Sequence, residues 1–487
     1  MRISMLVKGS FVLTTTLSAT LAAGCASVPA KGGFAEVQRM VGQRTGLSVH
    51  WDQVIPEDQA VKDRIQSLVQ EPLTAGAAVQ IALLNNHALQ ATYEELGIAQ
   101  ADLVQAGLLQ NPVFLGSWRS SSHTSVLNSE YALAQNFLDI FLLPLRKKLA
   151  AAQFEQAKLR VSDAVLGFSV QVRTAYYTLQ GAEHVHAMRQ TVMQAAEAAR
   201  ELAERQHKAG NINDLELATQ QGAFQQAKLE LAQSDVAVQL ARERLHQLLG
   251  FAEAPITWRV VDQLPALPAA DPALDDLEPL ALSQRLDLAA ARKSLDILRR
   301  ARTVTRLGIV PAVTVGVDTE HDLDHAWVTG PTVDIEAPIF DQRQAVRARA
   351  NAQLRQATQR LSALEAETRS EVRADITRLK AARQTAELYR DHLIPIRERI
   401  VAETQKHVNY MLLGVFQLLQ AKRDEVNASR EYLEALRDYW IAVAELERAV
   451  GGRLPLPEEG AASSAVQSPE QEVPGTPQQH HHGGETP

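Results

Sequence analysis

The sequence predicts a mainly α-helical protein with a small β part, in which a strand hairpin and a long coiled-coil helix form one unit that occurs twice. Three observations predict it. From Leu145 to His207 a helical pattern of about 60 residues runs unbroken by proline, roughly 90 to 95 Å at ~1.5 Å per residue. Along it Val161, Val165, Phe168, Val172, Ala175, Leu179 and Ala182 keep a four-three spacing, the seam of a coiled coil. The spacing returns in a second strut, 343–407, at Leu354, Ala357, Leu361 and Leu364, and an alternating strand pattern precedes each strut.

From the start, the chain opens with a basic end, an apolar run from Phe11 to Ala23 and then Gly24-Cys25, which reads as a signal peptide over 1–24. Cys25 is the only cysteine, so no internal disulfide forms, and its place after Leu21-Ala22-Ala23-Gly24 resembles a bacterial lipoprotein cleavage site. Ala22 stands where that pattern prefers Leu. Ala26, rather than Asp, follows the Cys, and the resemblance then favours the outer membrane. Residues 25–72 show no sustained period and are expected to form an extended, lipid-anchored lead-in.

The first repeat is expected over 73–250: a helix from Thr74 to Leu109, a hairpin over 112–138, the strut 145–207 and a helix over 214–249. A Pro-rich linker, 251–276, leads to the second repeat, 277–452, with a helix to Leu307, a hairpin over 311–338, the strut 343–407 and a helix over 413–450. Placed end to end, the two shorter helices of the first repeat would nearly match the length of its strut. The tail, 453–487, is rich in Pro, Gln, Glu and Ser and reads as disordered.

Pro112 cannot continue a helix and biases Asn111 away from one. Beyond it, Val113, Leu115 and Ser117 alternate with Phe114, Gly116 and Trp118; a polar loop then leads to Tyr131, Leu133, Gln135 and Phe137. In the second hairpin Val313, Val315 and Val317 oppose Thr314, Gly316 and Asp318, and after a loop containing Glu320, His321, Asp322, Asp324 and His325, Val333, Ile335 and Ala337 oppose Thr332, Asp334 and Glu336. One face is apolar and the other carries charge. That pattern fits either a small half-buried sheet or a membrane barrel whose apolar face meets lipid. The mature chain has no ~20-residue apolar stretch, so any crossing of a bilayer uses strands. Four strands cannot enclose a lumen, so several copies would share one barrel. The net charge of −8 gives no support to nucleic-acid binding.

Asn111-Pro112, Lys208-Ala209-Gly210-Asn211 followed by Leu215, Pro338-Ile339-Phe340-Asp341, and the run Asn409-Tyr410-Met411-Leu412-Leu413-Gly414-Val415-Phe416-Gln417 to Lys422 occur in an order, and at a duplicated spacing, that resembles the outer membrane efflux protein (TolC-like) family. The resemblance covers Leu73 to Gly452. It implies a homotrimer with a twelve-strand outer-membrane barrel continued by a periplasmic helical barrel, a periplasmic adaptor protein and an inner-membrane pump of the RND type as partners, and passive efflux. The second turn is most similar to members serving heavy-metal and related cation exporters.

Each strut ends in a tight turn, where Gly210 permits left-handed geometry. Ala209, Gly210, Asn211, Leu413 and Gly414 are the expected adaptor contacts, and Gly210 is equally well explained as a helix cap. Asp214 and Glu216 would ring the tunnel entrance and favour cations, although Asp214 also suits a first helical turn. In the resembled family the entrance is acidic on both halves, whereas here the matching positions of the second half are Gln417 and Gln420. His480, His481 and His482 could hold a metal ion loosely but have no scaffold. No catalytic motif is present and no cofactor is expected. A lipid-tethered scaffold without a pore and a metal-binding lipoprotein are the competing readings.

Overall fold

The computed structural model describes residues 27–53, 57–120, 127–136, 138–251, 257–307, 313–321, 326–336 and 339–454. Cys25, His480, His481 and His482 lie outside them, as do Phe137, Pro311, Ala337 and Pro338. Helices α1 (Phe34–Thr45) and α2 (Glu57–Gln70) precede the first repeat, which runs α3 (Ala75–Asn85), α4 (His87–Ala106), β1 (Val113–Ser120), β2 (Leu127–Asn136), α5 (Leu138–Lys208) and α6 (Asp214–Leu249). The second repeats it as α7 (Leu277–Gln284), α8 (Leu286–Leu307), β3 (Val313–His321), β4 (Trp327–Ile335), α9 (Gln344–Leu388), a π-helical turn (Tyr389–Leu393), α10 (Ile394–Asn409) and α11 (Val415–Val450).

The four-three seam becomes the axis of the molecule. Val161, Val165, Val172 and Leu179 of α5 are fully shielded, with Phe168 half-buried against the same core. In α9 the seam continues beyond Leu364 through Thr368, Val372, Asp375, Leu379 and Ala386, all buried. Between the struts lies α11, whose Ala421, Ala428, Ala435, Ala442 and Ala449 recur every seventh residue on its buried side. Small side chains there let three helix axes approach closely.

Several boundaries differ from the sequence expectation, each for a local reason. The first strut begins at Leu138 and runs through Pro144, which lies inside the helix and forfeits the bond to the carbonyl of Ile140. The second strut is interrupted: Pro395 has no N–H and would crowd the carbonyl of Asp391, and the chain accommodates it with the π-turn, where Ile394 N–H reaches Tyr389 O. The final helix starts at Val415, not at residue 413.

The helices expected over 74–109 and 277–307 are each two. At the first break Asn86 Oδ1 accepts from Leu89 N–H while Nδ2 donates to the carbonyls of Leu248 and Gln247. Asn86 thus caps α4 and seals the end of α6 at once, so α6 and α4 abut along α5. At the second break Arg285 holds the equivalent joint, its fork on Asp287 (2.7 Å) and Glu371 and its Nη1 also reaching the carbonyl of Ala449. Gly250 and Gly451 end the abutting helices with φ of +78° and +88°.

The described residues of 25–72 are not an extended lead-in. Within them α1 buries Phe34, Val37 and Val41, one helical stripe, against α5. That short period was present in the sequence but lay among Gly and Pro. The linker also packs, through Trp258, Val260, Leu264 and Leu267, and a parallel bridge joins Val260 to Leu73.

Burial alone would lower the Arg285 pKa, but the carboxylates of Asp287 and Glu371 outweigh it and keep the guanidinium charged. Asp163, nearby on α5, is pushed up to about 6 by burial, with the Asp287 carboxylate adding to it. An acid with a raised folded pKa contributes stability that is present below its ordinary value of 3.8 and lost as pH rises through about 6. Asp163→Asn should therefore raise stability over the parent above pH 6, on the order of 1 to 2 kcal/mol, with the gain vanishing by pH 4, measured by thermal unfolding across that range. Gly250→Ala should cost about 2 kcal/mol or more, because its Cβ would lie 2.6 Å from the Asn85 carbonyl oxygen at a positive φ; circular dichroism melts read this directly.

Candidate functional site: an amphipathic sheet and two helical tips

The four strands form one antiparallel sheet in the order β1-β2-β3-β4. The register pairs Phe114 with Leu133, Leu133 with Val317 and Val317 with Pro331. Because strand side chains alternate, these residues share a face with Trp118, Tyr131, Val313, Val315, Val333, Ile335 and Trp327. The other face holds Ser117, Arg119, Asn128, Glu130, Thr314, Asp318, Glu320, Thr332 and Asp334. Val113, Leu115, Ala132, Ala134 and Val328 interrupt its polarity.

On a soluble protein the apolar face would be covered. Here Phe114 is 67% exposed, Val333 58% and Ile335 62%. Trp118 donates its indole N–H to Tyr131 Oη (3.2 Å), and Trp327 packs against His321 near the far end of the sheet, so aromatic groups with polar edges gather at that level. Glu320 and His321, expected in a loop, are the last residues of β3. Strands of eight to ten residues suit a bilayer crossing, for which about 9–11 tilted residues are needed.

At the opposite end each repeat turns back on itself in the same way. Gly210 N–H donates to His207 O and Asn211 N–H to Gln206 O; Met411 N–H donates to Val408 O and Leu412 N–H to His407 O. Gly210 has φ +76° and Met411 φ +61°, so Met411 is the counterpart of Gly210. Gly414 instead sits at φ −84° as the N-cap of α11, as Asn213 does for α6 through its hydrogen bond from Glu216 N–H (2.9 Å). Sequence reasoning named Leu413 and Gly414 in the second turn but not Met411, because left-handed caps usually are glycine. The repeat alignment around Asn211 and Leu412 could have found it.

The two tips differ in chemistry. The first presents Ala209, Gly210, Asn211 and Asp214, whose carboxylate lies 2.7 Å from His207 Nε2. The second exposes Tyr410, Met411, Leu412 and Leu413, with Met411 93% accessible. Asp214 and Glu216 face solvent on α6; Gln417 is also exposed, and Gln420 donates to Asp424 (2.9 Å). Arg397 meets the same Asp424 at 3.5 Å. Asp424 was not singled out from the sequence, although it lies one helical turn from Gln420. Among the described residues no group of three His, Cys, Asp or Glu is placed to hold a metal ion.

An amphipathic sheet set on long paired helices defines a channel-forming outer-membrane protein. The model of the outer membrane efflux protein family matches residues 61–251 and 277–452. The chain belongs to that family and is an outer-membrane channel component of an efflux system, not an enzyme. It is 26% identical over 399 residues to the cobalt-zinc-cadmium resistance protein CzcC of Cupriavidus metallidurans, covering 78% of this chain and 90% of that one. Its fold is similar to the CmeC outer membrane channel of Campylobacter jejuni (TM-score 0.67, 15% identity, 78% of this chain and 86% of that one) and to CusC (0.63, 16%, 80% and 92%).

A bulky residue in left-handed geometry is strained where glycine is not. Met411→Gly should leave the turn intact and hold or slightly raise stability, whereas Gly210→Ala should lower it by about 1 kcal/mol, both by thermal unfolding.

Proposed function

We propose that three copies of this chain close into one duct that carries heavy-metal cations or small toxic compounds from the periplasm to the exterior. The observation that carries this reading is the sheet with two open edges and an uncovered apolar face. In hydrocarbon, the unpaired N–H and C=O groups of β1 and β4 would each be costly, and pairing β4 of one copy with β1 of the next removes them. Three sheets of four strands give the twelve-strand barrel.

The helices support the same closure. On α6, which packs mainly on α5, Leu229, Val236 and Leu240 are exposed; on the other flank Leu388, Ile396 and Ile400 of α9 and α10 are exposed. In a ring these outer flanks cover one another, continuing the barrel as a helical tunnel. The polar sheet face turned to the lumen carries Glu130, Asp318, Glu320, Asp334 and Glu336 against Arg119, which favours cations. The similarity to a cobalt-zinc-cadmium resistance protein points the same way.

In this reading Cys25 is acylated. Gly33 lies beside Phe154 and Lys158 of α5, roughly 14 Å along the helix from Leu145, and the eight-residue chain back to Cys25 is long enough to reach the bilayer. Ala209, Gly210, Asn211, Leu413 and Gly414, together with Tyr410 and Met411, meet a periplasmic adaptor that couples the duct to an inner-membrane pump of the RND type. Asp214, Glu216, Gln417 and Gln420 border the entrance. The duct itself is passive.

Purified protein should migrate as a trimer and conduct in planar bilayers with reversal potentials favouring K⁺ over Cl⁻. Replacing Glu130, Asp318 and Glu320 by their amides should reduce that preference at least several-fold. A monomer that leaves bilayers sealed would instead support the tethered scaffold.

A further inference from the structure

We propose that the cavity where α1 and α3 meet the end of α11 binds a small organic carboxylate with an apolar body. The cavity is built by one chain, so it does not depend on closure of the duct.

Its floor is a single stripe of α5, from Asp163 through Leu166, Gly167 and Val170 to Arg173 and Tyr177. One wall is the end of α1 with the start of α3, where Leu47 and Val79 stand; the other is the joint at Arg285 with the end of α11. Together they enclose about 320 Å³, at the lower end of the range of roughly 300 to 1,000 Å³ that takes small organic ligands. Gly167 keeps the floor low, since a Cβ added there would meet no atom within 4 Å. Glycine is a poor residue for a helix interior, and here no packed neighbour calls for it; what it supplies is room.

Five arginines line the cavity against three carboxylates. The carboxylates are engaged elsewhere in the lining: Glu447 pairs with Arg173, Asp287 with Arg285, and Asp163 faces Arg285 and Arg448. Glu371, just outside, is shared by Arg285 and Arg448. Arg44 and Arg453 are left over. Arg44 donates to the carbonyls of Gly451 (3.2 Å), Met40 (3.3 Å) and Gln284 (3.3 Å), and Arg453 donates to that of Thr45. Glu447 also feels Arg453, but it is held by Arg173. Burial lowers the Arg44 pKa with no carboxylate to offset it, whereas the acids beside Arg285 outweigh the same effect there.

Both guanidinium groups belong to one corner, in which Arg453 lies against Gly46 and Arg44 against Gly452. Arg44 uses three of its five N–H donors on carbonyls and Arg453 uses one. The unused donors of two like charges suit a carboxylate, which accepts from guanidinium forks on both of its oxygens. The apolar remainder of the lining, with the ring of Tyr177, excludes a bare inorganic anion as the best fit and favours a hydrocarbon or aromatic body behind the charged head. Occupancy would tie the end of α1 to the end of α11, the two segments that Arg44 already bridges.

The test uses the full chain purified in neutral detergent and three probes: 1-naphthoate, its neutral isostere 1-naphthamide, and inorganic phosphate. Titration calorimetry should show naphthoate binding, and naphthoate well above its Kd should raise Tm by several degrees, with naphthamide and phosphate each giving less than about one degree. Arg44→Gln/Arg453→Gln should weaken naphthoate binding by roughly tenfold with the circular dichroism spectrum unchanged. Should that variant fail to fold, Arg453→Gln alone, at an exposed residue making one hydrogen bond, should still weaken it by roughly threefold. Equal binding of naphthoate and naphthamide, a phosphate response matching that of naphthoate, no response to naphthoate, or unaltered affinity in the variants would overturn the proposal.

Discussion

Backbone hydrogen bonding in a medium without water governs this molecule. Four strands satisfy one another across three seams, and the outward sides of β1 and β4 are left with donors and acceptors that neither lipid nor the chain's own helices can meet. The apolar face is not turned inward, because among the described residues no layer of the protein packs on it. Both needs are met by joining sheets edge to edge with like copies, and everything below the sheet has to arrive at the matching radius. The long struts, the abutting shorter helices and the alanine stripe of α11 give each copy the narrow wedge that such closure requires.

Duplication accounts for the wedge. Each repeat breaks its short helix pair at one residue, Asn86 or Arg285, and at each break a glycine in left-handed geometry ends the neighbouring helix against it. The solutions differ chemically. Asn86 uses a neutral amide that both caps and donates, whereas Arg285 uses a charge shared among Asp287, Glu371 and the Ala449 carbonyl. The second joint consequently gathers other charges, Asp163 and Arg448 among them, and carries a burial cost that appears in the raised pKa of Asp163, which Arg285 and Arg448 only partly offset. A similar divergence separates the tips, where one copy keeps Gly210 and the other tolerates Met411 and surrounds it with exposed apolar groups.

Function follows from placement rather than from any reactive group. A sheet with one apolar face and one face holding more carboxylates than cations, and exposed tips at the far end, give one chain surfaces of different chemistry. In the proposed duct the carboxylates of the polar sheet face line the bore.

The sequence by itself determined the elements whose signal is local: the coiled-coil seam from Val161 to Leu179, the strand alternation at Val313 to Val317, the stop at Asn111-Pro112 and the turn at Gly210. Each depends on spacing or on the conformational range of one residue, which neighbours in sequence suffice to reveal. Tertiary structure decided the rest. The split at Asn86 needs the end of α6, 161 and 162 residues away, to receive its amide; the burial of Phe34, Val37 and Val41 needs the flank of α5; and the left-handed Met411 is imposed by closure of the second helical turn.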